Sequence, residues 1–193
     1  FNPYIAGRVV GSDLFYGRSA IITDIERPLA NTCFLIYGER RIGETSLPHQ
    51  LRERLQKADD PTYKFIPAYI DLQGVAEDDF CRTIAAGVVE HAAGLFRETL
   101  ALRLNEARDG YTYRDLTRDL RTIIDHLKAN ETKAIKIVLL MDEVDTLNTY
   151  SLRTNLNLRG LFMGPLKENI VLVMSGLYLK MDWSAEGGGS PPF

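Results

Sequence analysis

The chain of 193 residues has only two cysteines, three histidines and one tryptophan. So few thiols cannot form a disulfide framework, and Cys33 and Cys81 are expected to be free, buried thiols in a reducing compartment. His49, His91 and His126 lack ligand spacing, which argues against a metal centre of the His/Cys type. Long apolar runs are missing too. Stretches such as residues 137–141 stop far short of the ~20 residues a membrane-spanning helix needs. No basic start followed by an apolar core marks a secretory signal. Charge of one sign is scarce: Lys and Arg total 23 and Asp and Glu 26, a formal net charge of −3. That balance excludes a broad basic surface, though not a local basic patch, so nucleic acid is an open but unfavoured partner of this domain. What remains is 45% hydrophobic and 25% charged, the composition of a cytoplasmic globular domain long enough for one core.

Four short runs are almost continuously apolar: residues 33–37, 65–72, 135–141 and 170–174. Strands buried on both faces read this way, as in parallel sheets covered by helices. Helical spacing fills the intervals. Phe80, Ile84, Val88, Leu95 and Phe96 keep one apolar face over 77–103. Tyr113, Leu116, Leu120, Ile123, Ile124 and Leu127 do so over 112–129, and a shorter pattern covers 152–162. Ile21, Ile22, Ile25 and Leu29 have the same spacing over 19–29, interrupted by Pro28. Strands alternating with helices predict an α/β fold, a three-layer doubly wound parallel sheet. Residues 1–18 read as an extended segment, 19–185 as the core, and 186–193 as a linker. A chain that stops there without a closing element is expected to be part of something longer.

After the first run stands Gly38-Glu39-Arg40-Arg41-Ile42-Gly43-Glu44-Thr45-Ser46. The phosphate-binding pattern G-x-x-x-x-G-K-[ST] uses two glycines so that backbone N–H groups can curl around phosphate oxygens. A helix N-terminus adds partial positive charge, and the hydroxyl after the lysine binds Mg²⁺. Here that hydroxyl is Thr45, and every element is present except the lysine, which is Glu44. About a hundred residues on, an apolar run ends in Asp142-Glu143. Carboxylates at a strand's C-terminal end lie where α/β sheets place ligands. Asp142 is expected to hold Mg²⁺ through water, and Glu143 to polarise an attacking water.

These motifs, in this order, resemble the P-loop ATPase domain of the AAA+ and STAND superfamilies, over nearly the whole chain. Asn2-Pro3-Tyr4 and Phe15-Tyr16-Gly17-Arg18 resemble the family's adenine-side box, and Ile70-Asp71-Leu72 its second strand. Val171-Leu172-Val173-Met174-Ser175-Gly176 resembles its fourth strand, whose terminal polar residue, Ser175 here, senses the γ-phosphate. The resemblance implies a sheet order of 5-1-4-3-2, with the fifth strand and lid beyond the chain end. It implies ATP or ADP with Mg²⁺ as cofactors, self-association, effector or repeat domains in a longer protein, and a switch function with slow hydrolysis. Phe15, Gly17, Arg18, residues 38–46 and Ser175 would contact nucleotide; Thr45 and Asp142 would serve the metal, and Glu143 catalysis. No Asn-Lys-x-Asp sequence is present to read guanine, which favours ATP over GTP.

Two positions depart from the family. Glu44 replaces the Walker A lysine that bridges β- and γ-phosphates. Reversing a unit charge at ~4 Å and an effective dielectric of ~20 threatens several kcal/mol. Pro48 stands where leucine is preferred and is expected in the second turn of the following helix, against the carbonyl of Glu44, at a cost of ~3 kcal/mol. The alternative is therefore a non-catalytic module that keeps the fold for protein interaction. Arg153 and Arg159 are candidate arginine fingers, set against a plain surface-helix role.

Overall fold

The computed structural model describes residues 25, 29, 32–37, 46–106 and 110–179. Four strands, β1 (Phe34–Tyr37), β2 (Tyr63–Asp71), β3 (Ala134–Asp142) and β4 (Ile170–Gly176), form one sheet. All three pairings are parallel and the order is β1-β4-β3-β2. This is the expected order for strands 1 to 4, with β1 and β2 outermost among the described residues. The helices are α1 (Ser46–Lys57), α2 (Glu77–Ala92), α3 (Tyr113–Asn130) and α4 (Leu152–Met163).

Near-continuous apolar strands arise because alternate residues enter two separate cores. On one face Ile137, Leu139 and Met141 of β3 and Ile170, Leu172 and Met174 of β4 pack with Phe80, Ile84 and Val88 of α2, Leu116 and Leu120 of α3, and Leu158 and Leu161 of α4. On the other, Val138, Leu140, Val171 and Val173 meet Leu47, Leu51 and Leu55 of α1, together with Ile25 and Leu29. The result is three layers. Pro67, buried in β2, lacks an N–H to donate and is tolerated because β2 is an outer strand. No helix among the described residues is long and apolar enough to cross a membrane.

Local chemistry sets the helix ends. Thr112 and Asp115 form a reciprocal capping box at the start of α3. Ser151 caps α4 by accepting from the Thr154 N–H, and Glu77 accepts from the Ser151 hydroxyl and N–H. The helix expected over 77–103 stops at Ala92. A 3-10 turn, Ala93–Leu95, contains Gly94, a poor helix former, and Phe96 swings out to meet His126 edge-on at 5.9 Å. Pro48 is the third described residue of α1, and the residues that would fix its turn within the helix lie outside the described ones. The Glu44 carbonyl it was expected to meet lies outside the described residues. Cys33 precedes the first paired residue of β1 and is exposed, contrary to expectation; Cys81 is half-buried in α2, where burial pushes its thiol up to about 11.

One buried carboxylate organises the crossing between α2 and α3. Asp119 accepts from the Arg103 N–H at 2.8 Å, the Leu104 N–H at 2.9 Å and the Tyr111 hydroxyl at 2.8 Å. Asp119→Ala strands three donors and should cost about 3 kcal/mol. Calorimetry should then show a Tm about 6–12 °C lower, while Tyr111→Phe, losing one bond, should lower it far less. Equal Tm values for Asp119→Ala and the parent would contradict this role.

Candidate functional site

Parallel strands end together, so the carboxyl edge of the sheet gathers the C-termini of β1, β4, β3 and β2. Tyr37 is paired with Gly176, Ile36 with Ser175 and Asp71 with Asp142. Asp142 therefore closes β3 in the middle of that edge, and it is 3% exposed. A buried carboxylate needs donors, and three are supplied. The Ser175 hydroxyl donates to Oδ1 at 2.7 Å, the Glu143 N–H to Oδ1 at 3.0 Å, and the Tyr69 hydroxyl to Oδ2 at 2.9 Å. Separately, the Leu72 N–H reaches the Asp142 carbonyl at 3.1 Å. Strands β2, β3 and β4 thus converge on one side chain.

Glu143 follows at φ 53° and ψ 42°, the left-handed region. Among the described non-glycine residues only Glu143 has positive φ. The conformation costs about 1–2 kcal/mol for an L-residue. It is held by the N–H bond to Asp142 and by the Glu143 carbonyl, which accepts from the Thr146 N–H at 3.2 Å. The kink turns the chain from β3 into a 3-10 helix, Val144–Thr149, and leaves the Glu143 side chain exposed at the edge while Asp142 stays buried. Asp145 then accepts from the Leu177 N–H at 2.9 Å and the Tyr178 N–H at 2.7 Å, tying this turn to the end of β4. Gly176 is sterically required there: a Cβ would stand 2.7 Å from Asp145 Oδ2 and 2.9 Å from Val144 Cγ2.

The start of α1 reaches the same edge. His49, its fourth described residue, lies against the Tyr69 ring with centroids 4.1 Å apart and planes at 33°. Burial and then the Arg52 charge hold the His49 imidazole below its ordinary value of 6.5, against an opposing pull from Asp142. Burial, followed by the charge of Asp142 and its hydrogen bond, pushes the Tyr69 phenol far above its ordinary range, so it remains a donor. Of the described flanks of residues 38–45, Tyr37 ends β1 on the same edge, paired with Gly176 of β4, and His49 of α1 reaches Asp142 through Tyr69.

Of the expected site residues, Asp142, Glu143 and Ser175 are brought together. Ser175 is fully buried, its hydroxyl 2.7 Å from Asp142 Oδ1 and 3.4 Å from the Met141 carbonyl, so the shorter bond is to Asp142. Ser46 opens α1. Phe15, Gly17, Arg18, Gly38, Arg40, Arg41, Ile42, Gly43, Glu44 and Thr45 lie outside the described residues. Arg153 is exposed and Arg159 half-exposed on α4. Tyr69 and His49 were not expected at the site. The available signal for Tyr69 was a hydroxyl-bearing ring near the C-terminal end of an otherwise apolar strand.

Among the described residues no three His, Cys, Asp or Glu side chains cluster to hold a metal. The donor set at Asp142 nonetheless suits an oxygen-seeking ion bound through water. Among the described residues Oδ1 receives two donors and Oδ2 one, so Oδ2 keeps an acceptor position that a metal-bound water would use.

No family model and no curated protein matches the chain. Solved structures do. The chain is similar to the Walker-type ATPase paby2304 of Pyrococcus abyssi, with a TM-score of 0.58 and 19% identity, over 86% of this chain and 46% of that one. It is also similar to the ORC1 protein of Aeropyrum pernix, solved in complex with DNA, with a TM-score of 0.48 and 14% identity, over 84% and 39%. The chain thus spans less than half the length of these proteins. The first likeness, with the strand order, shows the α/β parallel-sheet fold of P-loop ATPases.

His49 also gives the fold a pH signature. Unfolded chains take up its proton near 6.5 whereas the folded chain resists it, so the unfolded state binds more protons and stability drops as pH falls through that value. Urea unfolding at pH 7 and pH 5.5 should show this loss in the parent and a smaller one in His49→Phe. Equal losses would contradict the burial of the imidazole.

Proposed function

We propose that the chain is an ATP-binding regulatory ATPase domain of the AAA+/STAND type, in which bound nucleotide controls self-association and attached effector or repeat domains in the cytoplasm. The single observation that carries this reading is the buried, three-donor Asp142 at the carboxyl edge of the sheet, reached from His49 of α1 through Tyr69. A strand-loop-helix that starts at β1 and resumes at α1 has its flanks where phosphates bind in such sheets.

In this reading residues 38–46 wrap the phosphates with backbone N–H groups, and Phe15, Gly17 and Arg18 take the adenine side. Bound Mg²⁺ neutralises the charge developing on the β- and γ-phosphates. Thr45 and Asp142 are the residues that would hold it, Asp142 through its remaining lone pair and a water. Ser175 keeps Asp142 in place. Glu143, exposed at the edge by its left-handed backbone, orients the attacking water and takes its proton. The proposed division assigns residues 1–18 to the adenine side, 19–185 to the core and 186–193 to a linker.

Glu44 favours a second reading, a non-catalytic module that keeps this fold for protein interaction. A carboxylate where β- and γ-phosphates are expected repels them, and Arg40 and Arg41 are the nearby cations in sequence.

The two readings separate on whether the parent chain binds ATP or ADP, and one substitution tests the role given to residue 44. Glu44→Lys should raise Mg-ATP affinity at least ~100-fold, which needs about 2.7 kcal/mol out of the ~4 kcal/mol of one unit charge pair at ~4 Å. Adding Asp142→Ala should preserve binding but abolish its Mg²⁺ dependence and hydrolysis. Calorimetric titration with ATP and ADP, with and without Mg²⁺, checks both. Unchanged ATP affinity in Glu44→Lys would contradict the placement of residue 44 at the phosphates.

A further inference from the structure

We infer that Tyr69 is the positioning residue of the Mg²⁺ site and that His49 locks it in place, so that the phosphate-side helix and the metal carboxylate are joined by a side-chain bridge. This deepens the nucleotide reading and rests on it.

Counting lone pairs at Asp142 isolates the part played by Tyr69. A carboxylate oxygen accepts two hydrogen bonds in its plane. Oδ1 already receives the Ser175 hydroxyl at 2.7 Å and the Glu143 N–H at 3.0 Å, so it is saturated. Among the described residues, Oδ2 receives only the Tyr69 hydroxyl, at 2.9 Å. The direction from which Tyr69 arrives therefore decides which lone pair of Oδ2 stays open, and so where a metal-bound water can sit.

The ring has little freedom to deliver that bond from elsewhere. Tyr69 packs against the core that includes Leu47 and Leu51 of α1 and Val138 and Leu140 of β3. His49 covers its face at 4.1 Å. His49 lies four residues after Thr45 and five after Glu44. Any shift of α1 at His49 is thus felt at Tyr69, and through its hydroxyl at Asp142. A purely space-filling Tyr69 would need the ring but not the hydroxyl, which gives the test its variant.

The experiment measures ATP affinity of the whole chain by calorimetry across a Mg²⁺ titration and in EDTA. Tyr69→Phe keeps the ring and its packing. It should raise the Mg²⁺ concentration for half-maximal effect at least about fivefold, as expected for losing a hydrogen bond to a charged group, with ATP affinity in EDTA held within twofold. His49→Ala should shift the Mg²⁺ midpoint in the same direction, and His49→Phe, which restores a ring against Tyr69, should return it toward the parent. In an Asp142→Ala background Tyr69→Phe should add nothing. A Mg²⁺ midpoint unchanged in Tyr69→Phe, or affinity lost equally with Mg²⁺ and EDTA, overturns the inference while leaving nucleotide binding intact. Absence of any ATP or ADP binding by the parent, with Mg²⁺ or EDTA, overturns the nucleotide reading and this inference with it.

Discussion

Burying a carboxylate at the end of a central strand is affordable only when its oxygens find donors, and Asp142 draws them from three strand ends at once. Tyr69 from β2, Ser175 from β4 and the N–H of Glu143 all point at it. That convergence fixes how the strands terminate relative to each other. It also fixes the left-handed turn at Glu143, since the same N–H that satisfies Asp142 opens the turn. One side chain becomes nearly inaccessible while its neighbour is exposed. Two adjacent acids of similar intrinsic chemistry are thereby given different environments, which is the usual way a fold assigns different roles to a pair of carboxylates.

The sheet makes this possible. Because β3 and β4 are buried on both faces, α1 on one side and α2 to α4 on the other hold their edge from both directions. The contact of His49 with Tyr69 adds a link across the α1 face. Asp145, bonded to the two N–H groups after β4, closes the other side of the edge, and Gly176 leaves room for it. Packing and hydrogen bonds thus tie this edge to several elements, and charge is best stabilised through groups fixed in advance.

Much of this fold was legible in the sequence because it follows from local pattern. The continuous apolar character of residues 135–141 and 170–174 marked strands buried on both faces, and their placement in the middle of the sheet agrees. The apolar spacing over 112–129 matches α3, Tyr113–Asn130. The helix over 77–103 was read too long because apolar spacing alone does not register the break at Gly94, and Leu95 and Phe96 happened to continue the period. Cys33 was placed inside because it adjoins an apolar run, but it comes before any pairing begins. The carboxylate pair was found from its position after a strand. Ser175 was named through the family resemblance but not as a partner of Asp142, and Tyr69 was not named: Tyr69 is 73 residues from Asp142 and Ser175 is 33 residues away. Such separations carry no periodic signal, and only the strand order brings them together.

The central claim is that the carboxyl edge around Asp142 is a nucleotide site shared with the segment leading into α1. A crystal structure of the chain grown with ADP and Mg²⁺ tests it most directly. The account predicts phosphates against the N-terminal turn of α1, with Asp142 one water away from the metal and its bonds to Tyr69 and Ser175 intact. A nucleotide bound at another surface, with this edge free of phosphate and metal, would contradict it.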